Sequence, residues 1–264
     1  MASTQGILLR NLPLKVLFLG FSEFVGTFLL IAVGCSFVVV DFASSSPVVH
    51  WIPDPGLRRA LTGFLFGSTG GLIALSWVGK WSGAHINPVV TVAFWWRKKI
   101  AWSTALVYIV AQCAGAIGGA WSLRIWGSWA MMTHDAITVP GFLGPFIATL
   151  GELGATFCLI VGLFVFLGHK SLRRFTPGLF PVLYAILVYI EAPLSGTSTN
   201  PARTLGPEII AHDFSGWWVY WIGPLLGCLV GLLVLDRLLP YLSQEILSAK
   251  VSYIHHDPHQ MLSG

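Results

Sequence analysis

Residues 82–91 read Ser-Gly-Ala-His-Ile-Asn-Pro-Val-Val-Thr, and residues 195–204 read Ser-Gly-Thr-Ser-Thr-Asn-Pro-Ala-Arg-Thr. Both follow one pattern: Ser-Gly, three residues, Asn-Pro, two residues, Thr. Asparagine is a favoured helix N-cap, and proline suits the first helical position. Each phrase therefore predicts a short extended segment that ends in a helix start. The helix that follows has room for about 10 residues, or about 15 Å. That is half of the roughly 30 Å hydrocarbon core of a bilayer. Two such half-helices meeting head to head would together cross it.

The surroundings make a bilayer the right frame. The 264 residues are 55% hydrophobic and 10% charged, whereas a soluble domain carries about 25% charged residues. The fold class expected is an all-α membrane protein with six transmembrane helices plus two re-entrant half-helices. The apolar runs place the spans at roughly 15–40, 58–78, 101–126, 145–168, 178–194 and 217–240. The first is too long for a cleaved signal. Cys35, Cys113, Cys158 and Cys228 all fall in apolar runs and read as small core hydrophobes.

A second pair of phrases reveals a repeat. Glu23 opens Glu-Phe-Val-Gly-Thr-Phe-Leu-Leu-Ile, and Glu152 opens Glu-Leu-Gly-Ala-Thr-Phe-Cys-Leu-Ile. The organisation is an N-terminal segment 1–14, a first three-span repeat 15–126, a connecting loop 127–144, a second repeat 145–240 and a tail 241–264. Three spans is an odd number, so the halves enter from opposite faces, giving an inverted-topology repeat. Lys and Arg concentrate at Arg10, Lys15, Lys80, Arg97–Lys99, Lys170, Arg173, Arg174, Arg237 and Lys250. Only Arg58, Arg59 and Arg124 fall near the other side. Both termini are expected to be cytoplasmic in a plasma or inner membrane. The net charge of +4 reflects this asymmetry and contact with anionic lipid, with no nucleic-acid partner implied. Glycines such as Gly63, Gly67, Gly115, Gly119, Gly223 and Gly227 suit close helix packing.

Non-helical backbone at membrane depth is tolerated only when buried in protein or facing a water-filled cavity. The carbonyls of Gly83, Ala84 and His85, and of Gly196, Thr197 and Ser198, are therefore candidate lumen acceptors. Asn87 and Asn200 are candidate donors where the half-helices meet. Each half-helix turns a positive dipole end, about half a unit charge, toward that point. Water donates to the carbonyls and accepts from the asparagines, while a cation meets two positive ends. The chemistry suits neutral hydrogen-bonding solutes and opposes ions and proton hopping. No nucleophile–base set or metal-ligand spacing appears, so no enzyme activity, cofactor or metal is expected. His255, His256 and His259 read as part of a solvated tail.

These residues resemble the aquaporin and glycerol-facilitator family over roughly 15–240. The resemblance rests on the paired phrases, on Glu23 and Glu152, and on the six-span length. It implies a right-handed bundle, usually a homotetramer with one pore per protomer. It further implies that Glu23 and Glu152 brace the extended segments, and that Asn87-Pro88-Val89 and Asn200-Pro201-Ala202 form the central motifs. Val89 departs from the usual alanine. The implied filter near the outer mouth comprises Arg203, Thr197, Val188 and one residue of the second span. Counting back from Asn87 gives Gly67 there, whereas matching the family's aromatic-Gly pair gives Phe66. Strict water channels carry His where this chain has Val188, which widens that wall. Thr204 and Tyr220-Trp221 resemble the water-channel pattern more than the glycerol-channel one. The resulting expectation is a passive channel for water, with hydrogen peroxide, urea or glycerol as further solutes. A facilitator with poor water flux is the alternative within the family, and an ion-coupled secondary transporter is the alternative from another class.

Overall fold

The computed structural model describes residues 14–238 and Lys250. The first 13 residues and the rest of the tail, including His255, His256 and His259, lie outside the described residues. Six long helices are present: α1 (Leu14–Phe42), α2 (Pro55–Leu75), α4 (Trp102–Ser122), α5 (Gly144–Gly168), α6 (Thr176–Ser195) and α8 (Val219–Leu238). Two short ones, α3 (Pro88–Trp96) and α7 (Pro201–Ala211), begin at the Asn-Pro phrases. At 1.5 Å per residue these are about 14 and 16 Å long. Their sum approaches the thickness of the hydrocarbon core.

Among the described residues, five helices are long and apolar enough to cross a membrane. The sixth, α2, has 21 residues, which is long enough, but Arg58, Arg59 and its glycines dilute its hydropathy. Those glycines are packing residues turned toward protein, while Leu57, Phe64 and Leu72 remain exposed on the helix's outer face. The large apolar side chains left outside, among them Phe21, Val110, Phe146 and Leu233, face outward, as they must in a lipid-surrounded bundle.

The repeat is visible in the packing. α1 lies along α4, α5 lies along α8, and α2 pairs with α6 across the halves. Equivalent glycines make the first two contacts. A Cβ on Gly115 would sit 2.3 Å from the carbonyl oxygen of Phe24, and one on Gly227 would sit 2.3 Å from that of Leu153. No larger residue fits at either place without separating the helices.

Two expectations need correction. The segment 127–144 is more than a connecting loop. It carries a helix (Ser128–Met132) and a 3-10 turn (His134–Ala136) with left-handed backbone at His134, Asp135 and Ala136. Its polar residues concealed this order, because the stabilising contacts are made to distant parts of the chain. Cys158 is exposed on the outer face of α5. An apolar run in a membrane helix has a lipid-facing side, so membership of the run does not imply membership of the core. Cys35 and Cys228 are buried, and Cys113 is intermediate.

Candidate functional site

The extended segments before α3 and α7 are held in conformations that side-chain-bearing residues avoid. Gly83 (φ 87°) and Gly196 (φ 84°) start them, and Ala84, Ile86, Thr197 and Thr199 all have φ between 43° and 54°. Left-handed backbone at such residues costs of order 1–3 kcal/mol each. It persists where the surroundings over-determine it.

Two buried carboxylates provide that determination. Glu23 Oε1 accepts from Ser82 Oγ (2.7 Å) and the His85 N–H (2.8 Å). Glu23 Oε2 accepts from the Ile86 N–H (2.6 Å) and Gln112 Nε2 (2.8 Å). Glu152 repeats the arrangement with Ser195 Oγ (2.7 Å), the Ser198 N–H (2.6 Å) and the Thr199 N–H (2.7 Å). Tyr108 and Tyr220 complete the symmetry, their hydroxyls donating to the carbonyls of Ser82 (2.8 Å) and Ser195 (2.7 Å). Hydrogen bonds to a charged acceptor contribute about 1.5–3 kcal/mol each, enough to offset the backbone strain.

At the centre the two halves interlock. Asn87 Oδ1 caps α3 by accepting from the Val89 N–H, and Asn200 Oδ1 caps α7 by accepting from Ala202 and Arg203. Each amide then reaches across. Asn87 Nδ2 donates to the carbonyl of Thr199, and Asn200 Nδ2 donates to that of Ile86, both at 2.9 Å. An amide nitrogen has two N–H groups, so one on each remains for the cavity that both asparagines line. Pro88 and Pro201 occupy the first helical positions. Val89 and Ala202 turn away from this point into separate apolar clusters. Val89 packs with Leu159, Ile160 and Cys228, and Ala202 packs with Ile31, Cys35 and Ala116.

Arg203 is buried, and its Nη1 donates to the carbonyl of Ala136 at 2.9 Å. The one salt bridge among the described residues joins Arg97 to Asp236, so the partner of Arg203 is a carbonyl from the 127–144 segment. Phe66, Val188, Thr197 and Arg203 come together around a cavity of about 30 Å³, with Thr62 and Gly63 also in its wall. Gly67 lines the neighbouring cavity instead. A Cβ there would clash with the Phe180 carbonyl oxygen, as one on Gly63 would with that of Tyr184, so Gly67 and Gly63 are both points of close approach between α2 and α6. Of the segment carrying candidate lumen carbonyls, His85 turns its ring into protein, stacked on Phe94 with centroids 4.5 Å apart.

The sequence profile of the major intrinsic protein family matches residues 14–235. The chain belongs to the major intrinsic protein family. Two similar relatives are the probable aquaporin NIP7-1 of Arabidopsis thaliana and aquaporin PIP1-5 of Zea mays. The first is 31% identical, with 86% of this chain and 79% of the relative covered. The second is 29% identical, with coverage of 86% and 81%. A further relative, the probable aquaporin PIP2-7 of Oryza sativa subsp. japonica, is 32% identical over 56% of this chain and only 55% of its own length. The solved aquaglyceroporin of Plasmodium falciparum superposes with a TM-score of 0.71. That match covers 86% of this chain and 98% of that one at 20% identity, so the two share a fold.

This major intrinsic protein also has site residues that sequence reasoning missed. Tyr184 lines both cavities. It lies four residues before Val188 on α6, hence on the same helix face one turn on, and that spacing would have revealed it. Glu191 shares the Ser195 hydroxyl with Glu152. Lys250, read only as a basic tail residue, is buried against the inner cavity with Asn87, Asn200 and Phe180. Its backbone N–H donates to the Gly83 carbonyl at 3.1 Å, and its Nζ lies 5.4 Å from the centre of the Phe180 ring. One of the candidate lumen carbonyls is thus occupied by the chain itself. No local pattern announces such a contact.

Proposed function

We propose that this protein is a passive channel for water that also admits small neutral solutes such as hydrogen peroxide, urea or glycerol, and that it excludes ions and protons. The observation that carries the reading is the reciprocal pairing of Asn87 and Asn200. It fixes two positive half-helix ends at one point while leaving an amide N–H on each to meet a passing oxygen. A cation at that point faces like charge with no carboxylate to replace its hydration, following the physics of aquaporin-type pores. Glu23 and Glu152 act as braces, since their oxygens are engaged by the extended segments. Phe66, Val188, Thr197 and Arg203 act as the outer filter. Val188 supplies no hydrogen bond, which favours admission of solutes larger than water and keeps a facilitator with low water flux as the second reading. The protein works as a homotetramer in a cell membrane with both termini cytoplasmic, consistent with the distribution of Lys and Arg.

The test is permeability to water, urea, glycerol and peroxide in one preparation of reconstituted vesicles. Water flux above that of protein-free vesicles supports the reading, and glycerol flux without water flux supports the facilitator. Accumulation of a solute against its gradient when an ion gradient is imposed would establish a coupled transporter.

A further inference from the structure

The two cavities described above lie in series, and their linings share two residues, Phe66 and Tyr184. On one side are Val188, Thr197 and Arg203. On the other are Asn87 and Asn200. The shared rings are therefore the partition between them. Their centroids are 6.1 Å apart and their planes tilted by 37°, within the contact range of aromatic pairs.

Both rings are pinned from behind. Phe66 lies against Gly34 of α1, where a Cβ would come within 2.6 Å of the ring. The missing side chain of Gly34 makes the space that Phe66 fills. Tyr184 is held by its hydroxyl, 2.8 Å from Thr199 Oγ1. Thr199 Oγ1 donates its own proton to the carbonyl of Ser198 at 2.7 Å, so Tyr184 is the donor in the pair. The phenol oxygen then has only acceptor capacity left for the lumen. Thr199 is also the residue whose N–H is held by Glu152 and whose carbonyl accepts from Asn87. Tyr184 is thus fixed to the same segment as the asparagine pair.

We propose that Tyr184, one helical turn inward from Val188, forms a second selection point with the inner face of the filter residue Phe66, which rejects carbon-bearing solutes that the Val188 wall would admit. Water passes it by donating to the Tyr184 oxygen. A solute with a carbon skeleton must displace an aromatic wall that Gly34 and Thr199 hold in place. This proposal rests on the channel reading above and narrows its solute class: of the solutes named there, water and hydrogen peroxide pass the aromatic pair, and urea and glycerol are held back.

The experiment compares wild type, Tyr184→Val, Tyr184→Phe, Gly34→Ala and Arg203→Ala in reconstituted vesicles matched for incorporated protein. Tyr184→Val is expected to raise glycerol and urea flux at least fivefold, and with it the ratio of glycerol to water flux. Tyr184→Phe keeps the ring, so it is expected to retain exclusion of glycerol while losing water flux with the acceptor. Gly34→Ala drives Phe66 toward Tyr184 and is expected to lower water flux at least threefold. It tests the aperture independently should the valine variant fail to fold. Unchanged glycerol and urea flux in Tyr184→Val, beside a rise in Arg203→Ala, would overturn the proposal and leave the filter as the sole selector. So would unchanged water flux in Gly34→Ala. Wild-type and Lys250→Ala vesicles both no faster than empty ones below pH about 8 would instead sink the channel reading, which keeps the two failures distinct.

Discussion

Asn87 and Asn200, 113 positions apart in the chain, each cap their own half-helix and donate to the backbone just before the other's, at the same 2.9 Å. Each half of the molecule thereby closes the hydrogen bonding of its partner. Neither half can supply the carbonyl its own asparagine needs. The doubled phrase completes its hydrogen bonds only as a pair.

Asn200→Ala removes two things at once: the cap on Ala202 and Arg203, and the donor to the Ile86 carbonyl. Loss of an N-cap costs about 1 kcal/mol, and a buried carbonyl left without a partner costs about 1–3 kcal/mol more. The variant is expected to melt several degrees lower in detergent and to lose most of its water flux. Asn87→Ala should behave alike, since its contacts are equivalent. A large difference between the two, measured by thermal unfolding, would show that the halves are not coupled as the geometry indicates.

Glu152→Gln replaces an acceptor-only carboxylate with an amide whose NH2 faces a donor. Either the Ser198 or the Thr199 N–H then loses its acceptor. Destabilisation of at least about 2 kcal/mol is expected, read as a lower thermal midpoint and a reduced yield of monodisperse protein. A wild-type midpoint would contradict the bracing role.

Arg203→Lys keeps a charge but not the planar fork. The shorter reach of a single ammonium cannot hold the Ala136 carbonyl and face the cavity together. Urea and glycerol uptake are expected to rise several-fold in Arg203→Lys and further in Arg203→Ala. Unchanged uptake in both would remove Arg203 from the filter.

Lys250 offers a prediction with a pH dependence. Burial lowers its ammonium pKa from 10.5 to about 8, with the Glu23 carboxylate opposing the shift. Below pH about 8 the group is charged whether buried or solvated, so occupancy of the inner cavity does not vary with pH. Above that value the buried amine is neutral while the solvated one still binds a proton, so rising pH favours occupancy. The Glu23 carboxylate acts on it only through space, its oxygens being engaged by Ser82, His85, Ile86 and Gln112, and the Tyr184 phenol lines the same cavity. Water flux of wild type is expected to fall between about pH 8 and 9, and flux through Lys250→Ala to be higher and flat over that range. Identical profiles would show that Lys250 does not obstruct the lumen.

Thr197→Cys places a thiol in the wall of the outer cavity, whereas the exposed Cys158 lies on the outer face of α5. Mercurials are expected to inhibit the variant strongly and the wild type weakly. Strong block of wild type that survives replacement of all four native cysteines would contradict this placement.

The legible and the hidden parts of this protein divide by the range of the forces involved. Half-helix starts at Asn87 and Asn200 were readable because capping is local: the side chain acts on N–H groups two or three residues away. The spans were readable because lipid imposes a length. The filter cavity was readable only in part. Arg203, Thr197 and Val188 all follow from the resemblance, the first two by their places within and before the second Asn-Pro phrase. The position on α2 stayed open because counting from Asn87 crosses the break between α2 and the short helix Trp77–Ser82. Tyr184 and Lys250 owe their places to packing between distant elements. The same holds for the 127–144 segment, whose Ala136 carbonyl is fixed by Arg203, 67 positions away.

The central claim is that two half-helices joined at Asn87 and Asn200 line a passive water pore. Osmotic shrinkage of vesicles containing the wild-type protein, followed by light scattering, tests it most directly. The account predicts shrinkage at least several-fold faster than in protein-free vesicles, with no proton leak under an imposed pH gradient. Shrinkage at the protein-free rate below pH about 8, with Lys250→Ala equally slow, would contradict it.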